Sequence, residues 1–240
     1  YAALKEIALE KTFSAFPLRG LTLNSELHNR VRYLQSHNIA AIKKGTKRPD
    51  EYLLFMAHWD HLGKMDLADP AEDNIVNGAV DNATGVAAVL EFAKRFSAVQ
   101  TDRSILFLTV TLEESGLLGS EYFAKYPPIK LSNIVAGFNY DGILPTGLTN
   151  DMVVVGYGAS ELEDLLDEEL QKNGRYINPD PNPEKGYFYR SDHISLAKRG
   201  VPMLYADGGF DLVEGGKEAG FLLEEQYRLD SYHGVSDEYD

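Results

Sequence analysis

The sequence predicts an α/β fold, a three-layer α/β/α sandwich on a mostly parallel mixed sheet. Three observations predict it. Apolar runs at residues 52–57, 104–112 and 134–140 lack polar alternation, as expected of strands covered on both faces. Stretches of helical spacing, 83–97 foremost, fall between or after such runs. The resulting alternation of strand and helix requires parallel crossovers, which place helices on the sheet faces.

The elements follow in order. "YAALKEIALEKTF" has helical spacing at Leu4, Ile7, Ala8 and Phe13 and ends near Pro17. Residues 21–44 read as extended chain, able to pair antiparallel at a sheet edge. Turn chemistry at Lys47 to Asp50 leads into the strand 52–57. Residues 64–80 are polar and aperiodic, so a loop is expected. In 83–97, Val86, Val89, Leu90, Ala93 and Phe96 share one helical face. "SILFLTVTL" is the second strand, and a short helix fits 118–125. "IVAGFNYDG" and "MVVVGYG" supply two more strands, followed by a helix over 160–173. Residues 174–190, rich in Asn, Pro and Tyr, read as a loop. A helix over 191–199 and the strand "VPMLYA" complete the pattern. No internal repeat or low-complexity linker interrupts it.

Composition narrows the function. Of 240 residues, 44% are hydrophobic and 25% charged, ordinary for a globular chain with a large core. A net charge of −14 argues against a nucleic-acid partner, which demands clustered Lys and Arg. The basic cluster from Lys43 to Arg48 reads as a solvated turn. There is no cysteine, so disulfides and thiolate metal sites are excluded, and any metal must be held by His, Asp and Glu. No apolar run approaches the length of a membrane span.

In parallel sheets, ligands bind beyond the carboxyl ends of the strands. Strand 52–57 ends in His58-Trp59-Asp60, strand 104–112 in Glu113-Glu114, and strand 134–140 in Asp141. Asp81 precedes helix 83–97, and His233 sits in "YHGVSDE". Each has a simpler role available. Asp81 suits an N-cap, Asp141 a turn, the glutamates a solvated strand end, and a lone histidine a structural hydrogen bond. Together those roles require five coincidences at one sheet edge. Four carboxylates gathered there also repel without a counter-charge, which one or two divalent cations would supply. Imidazole with carboxylate favours zinc, with manganese and cobalt as further options. His58 and Asp60 lie two residues apart on one face of an extended chain, so Asp60 is placed to fix the second ring nitrogen of a metal-bound His58.

"AHWDHLG", "NGAVDNATGVAAVLEFAKRF", "TLEESGLLGSEYFA", "NYDG", "YRSDHISLAKRGVP" and "YHGVSDE" occur in the order found in the di-zinc aminopeptidases of the secreted bacterial leucyl aminopeptidase type. The chain resembles that family from about residue 50 to residue 240. The resemblance implies a zinc-exopeptidase fold and two zinc ions. It implies that His58 and Asp141 hold one zinc, Glu114 and His233 the other, and that Asp81 bridges them. Glu113 would be the general base. The implied substrate is a peptide or protein N-terminus, and the implied location is periplasmic or extracellular. Many relatives carry an inserted protease-associated domain, for which residues 1–240 have no room. They also continue past the position of His233. A single catalytic domain shortened at its C-terminus is therefore expected.

Other positions stay open. Tyr189 and Tyr205 are candidates to stabilise an oxyanion, and Phe188, Tyr189 and Phe210 to shape a pocket. Asp192 and His193 in "YRSDH" read equally as a support to the metal site or as a capped helix start. His61 reads as a support or as exposed, and His28 and His37 as surface or packing residues. Rival functions are a same-fold carboxypeptidase, a glutaminyl cyclase with a single zinc, and a peptidase-like binding module. Neither residue preference nor oligomeric state is written in the sequence.

Overall fold

A computed structural model describes residues 2–31, 33–65 and 72–239. The chain forms two compact units, residues 1–35 and 36–240. In the first, α1 (Ala2–Ala8) is the only regular element among the described residues. Of the extended chain expected over 21–44, the described residues before Ile39 form no strand. Leu23 and Tyr33 are over 90% exposed, so no apolar burial offsets the entropy of ordering that segment. Only β1 (Ile39–Lys43) becomes a strand, and it takes the expected antiparallel edge position.

The second unit carries β2 (Arg48–His58), β3 (Gly63–Lys64), β4 (Ile75–Val76), α2 (Gly85–Ser97), β5 (Arg103–Val110), α3 (Leu118–Lys125), β6 (Ile134–Asn139), β7 (Asp151–Val154), α4 (Leu162–Lys172), β8 (Tyr176–Pro179), α5 (His193–Ala197), β9 (Met203–Asp207) and α6 (Gly216–Asp230). Seven strands form one sheet in the order β1-β5-β2-β6-β9-β7-β8. The centre is parallel: β2 pairs with β5 and β6, and β6 with β9. β7 runs antiparallel to β9 and parallel to β8. The short β3 and β4 pair apart from this sheet, within the span expected to be a loop; residues 66–71 of that loop lie outside the described residues.

Alternation along β2 explains its continuous apolar run. Leu54 and Met56 join Leu106, Leu108, Phe123 and Leu196 on one face, under α3 and α5. Phe55 and Ala57 join Ile105, Phe107 and Val89 on the other, under α2. Phe138 continues that second layer toward Val154, Leu204 and α4. Helices thus cover both faces, and the strands end at one edge. The run 104–112 is a strand only to Val110, because the chain turns at Leu112, whose φ is 58°. β8 and α6 were not expected from the sequence. β8 is an edge strand closed by Pro179, a position where a missing N–H is tolerated. Among the described residues no helix is long and apolar enough to cross a membrane.

Candidate metal centre

The edge at the carboxyl ends of β2, β5 and β6 collects the polar residues. His58 closes β2 and is almost completely buried. Its Nε2 lies 3.0 Å from Asp141 Oδ1 and 3.2 Å from Asp81 Oδ1. Its Nδ1 lies 3.1 Å from the backbone carbonyl of Asp60, which only accepts, so that nitrogen carries the proton and Nε2 faces the carboxylates. The carboxylate of Asp60 was expected to orient His58, yet its nearest oxygen is 3.9 Å from Nδ1. The chain curls after His58, and that carboxylate instead accepts the backbone N–H groups of Glu113 (3.0 Å) and Glu114 (3.4 Å). Asp60 therefore holds His58 with its main chain and the two glutamates with its side chain. Asp60→Asn keeps one acceptor oxygen but turns an N–H₂ toward a backbone donor. The expected outcome is a loss of about 10–100-fold in zinc affinity with an unchanged circular dichroism spectrum, read by chelator competition.

Asp81 precedes α2 but does not cap it, since the cap residue is Thr84. The Asp81–Asn82 peptide is cis, and Asp81 is buried. Its Oδ2 lies 3.2 Å from His233 Nε2. The two oxygens of Asp81 thus face two different histidines. Its backbone N–H, with that of Val80, donates to Asp237, a buried carboxylate that also accepts from Tyr227. Asn82 ties this turn to the next strand end. Its side chain donates to the Tyr140 carbonyl and accepts from Gly85 and Gly142. A Cβ on Gly85 would lie 2.3 Å from Asn82 Oδ1, so this junction needs glycine.

Glu113 and Glu114 sit on a turn beyond β5, not on an extended strand end. Leu112 and Leu117, on either side, have φ of 58° and 62°. His233, also at the site, has φ 58°. Among the described residues these are the non-glycine residues in left-handed conformation, and all three adjoin this edge. Such strain clusters where surrounding structure over-determines a functional geometry. Glu114 Oε2 lies 3.4 Å from His233, and Tyr232 stacks on the His233 ring at 3.9 Å. Asp141 is held by the Ser191 hydroxyl, which in turn accepts from Asn139.

The electrostatics match this crowding. Burial opposes the charge on His58, but hydrogen bonds to Asp141 and Asp81 outweigh it and push the pKa up to about 12. Burial works against ionised Asp81, yet His233 and His58 hold it below the usual carboxylate range. Burial and the Asp141 charge push Glu113 up to about 9. His58 and His233 both face an excess of carboxylates, which raises their pKa values. Two sets of ligand atoms, His58–Asp81–Asp141 and His61–Asp81–Glu114, each lie within 4.8 Å of one another and share Asp81. His61 Nδ1 and Glu114 Oε1 are buried without a hydrogen-bond partner. Orphaned donor atoms and imidazole–carboxylate chemistry both fit zinc.

The remaining expected residues divide. Tyr205 lines the adjoining cavity of about 230 Å³, with its hydroxyl 3.4 Å from the Asp141 carbonyl. Phe210 lines it too, whereas Phe188 packs on His193 and Tyr189 is 69% exposed. Asp192 and His193 are buried. Asp192 makes no capping hydrogen bond, and burial pushes its carboxyl up to about 7. Burial lowers His193 to about 4, keeping it neutral between Phe188 and Tyr205. His28 is exposed beside Glu26, and the His37 carbonyl accepts from Trp59. Ser191 and Asp237 belong to the support of the site, although nothing in the sequence pattern marks them; both lie inside motifs that were singled out for other residues.

The chain is similar to several known proteins. A probable zinc metalloprotease of Pyrenophora tritici-repentis is 34% identical over 103 residues, which cover 43% of this chain and 23% of that protein. Aminopeptidase YwaD of Bacillus subtilis is 33% identical over 109 residues, covering 44% and 21%. The chain thus spans under a quarter of these curated relatives. A zinc-dependent exopeptidase from Parabacteroides distasonis superposes with a TM-score of 0.59 at 18% identity, covering 84% of this chain and 70% of that one, which shows the shared fold. Residues 38–240 match the sequence profile of peptidase family M28, and the chain belongs to that family of metallopeptidases.

Proposed function

We propose that the chain is an aminopeptidase that removes N-terminal residues from peptides with a pair of zinc ions. The observation that carries this reading is Asp81. Its two oxygens face separate histidine–carboxylate groups, His58 with Asp141 on one side and His233 with Glu114 on the other. A carboxylate between two such groups is what a shared ligand requires. Zinc held there supplies Lewis acidity toward a carbonyl and a water made acidic near neutral pH.

The protein's own residues supply the rest. Glu113 borders the cavity beside Asp81, Glu114 and Asp141. It accepts a proton from the attacking water at its carboxylate and returns that proton to the departing amine. Its burial lifts its basicity toward the working range, while neighbouring cations oppose the lift. The carboxylate surplus favours a free α-ammonium at the same edge, and the small cavity admits the first side chain. Leu144, Val153 and Phe210 give it apolar walls, with Asp207 at the end of β9.

The test joins metal content to substrate choice. Zinc-loaded protein should hold close to two ions per chain and hydrolyse aminoacyl-nitroanilides, but not their N-acetylated forms. A chelator should abolish turnover, and zinc should restore it. One ion per chain with cyclisation of N-terminal glutamine would replace this reading by the cyclase. Equal cleavage of blocked substrates would remove the exopeptidase assignment.

A further inference from the structure

His61 is absent from the ligand set that the family resemblance implies, yet it is built into the site. Its side chain is 7% exposed, and that of Glu114 is 9% exposed. His61 Nδ1 lies 2.8 Å from Glu114 Oε1, but the two atoms are not directed at each other, and neither has a hydrogen-bond partner. His61 Nε2 is unpartnered as well, so both ring nitrogens and the neighbouring carboxylate oxygen are buried unsatisfied. Such groups are costly to bury unless something else satisfies them.

The backbone is shaped for this ring. Gly78 has φ +69°, and a Cβ there would come within 2.2 Å of the Asp81 carbonyl oxygen, 2.7 Å of His61 Cγ and 2.8 Å of Cδ2. Any other residue at 78 would crowd both the Asp81 turn and the imidazole. His233 meets His61 edge-on, with ring centroids 5.7 Å apart. Glu114 therefore divides its oxygens, Oε1 toward His61 and Oε2 toward His233. The ligand atoms of His61, Asp81 and Glu114 lie within 4.8 Å of one another. Bonds of about 2.0–2.2 Å to a single zinc give a similar spread.

We propose that His61 is a direct ligand of the second zinc, through Nδ1, alongside Asp81, Glu114 and His233. This rests on the two-zinc reading. With His233, which faces both carboxylates, that ion would have four candidate protein ligands against three for the first, His58, Asp81 and Asp141, and so would be the more tightly held.

The experiment titrates the metal-free chain with Zn²⁺ against a competing chelator, and records the visible spectrum and proton NMR of the Co²⁺ form. Wild type should show two affinity classes. His61→Ala and His61→Asn should each weaken the tighter class by more than about 100-fold, beyond the 10–100-fold typical of an outer-shell change, and leave the weaker class in place. Free imidazole should restore the tight class in His61→Ala. The wild-type di-cobalt protein should show three exchangeable, paramagnetically shifted imidazole N–H signals, which needs no variant to fold. Two such signals, or two unchanged classes in both variants, overturn the role of His61 and leave the two-zinc reading standing. Failure of the folded wild type to bind a second ion overturns both.

Discussion

Replacing Glu113 by Gln should leave the fold and both metals in place and lower turnover by roughly 10²–10⁴. Gln keeps the length and one hydrogen-bonding oxygen but accepts no proton near neutral pH. The side chain borders the cavity and makes no close approach to the histidines that define the two metal groups. Its backbone N–H is fixed by Asp60, a contact the substitution does not touch. The wild-type carboxyl is pushed up to about 9, chiefly by burial, so an amide there removes an awkward group from the resting fold. Thermal stability should therefore hold or rise. Zinc content, the melting curve and kcat for one good aminoacyl-nitroanilide decide the matter. Wild-type turnover removes Glu113 as the base, and lost zinc makes it a ligand.

The contrast with Glu114 shows where sequence reasoning reached and stopped. An extended strand end would send adjacent side chains to opposite sides. The two glutamates do sit in distinct surroundings, but on a turn bounded by left-handed Leu112 and Leu117, a conformation that apolar leucines give no reason to expect. Buried strands were legible because runs such as Leu53 to Ala57 have no other stable place, and the polar residues ending them marked the edge. α6 was not legible. Gly215 precedes it and Gly216 begins it, and Leu222 and Leu229 are largely exposed, so no apolar stripe announces it. His61 and Asp237 enter the site through chain curvature and a contact 156 residues long, and neither leaves a periodic trace. The carbonyl of Asp60, rather than its carboxylate, holds His58 because the strand ends at His58 itself, short of the extended chain an i, i+2 pairing with Asp60 requires.

Asp81→Asn should have the broadest effect at the metal centre. Asn matches Asp in shape, and the buried position is held by its backbone N–H to Asp237, so the turn should keep its course. The charge and one of two acceptor oxygens are lost. Whichever way the amide turns, its N–H₂ faces either His58 or His233, each now 3.2 Å from a carboxylate oxygen. An amide nitrogen is no ligand, and it repels an imidazole that donates from the same side. If Asp81 is shared, affinity should fall at both sites by more than about 100-fold, beyond what outer-shell changes cause. Turnover should drop to background even at saturating zinc. Asp141→Asn is the control, because Asp141 pairs with His58 and Ser191 and not with His233. It should weaken one site only. Should Asp81→Asn also weaken one site only, with the other at wild-type affinity, the bridging role is removed and the two histidine groups bind their ions independently.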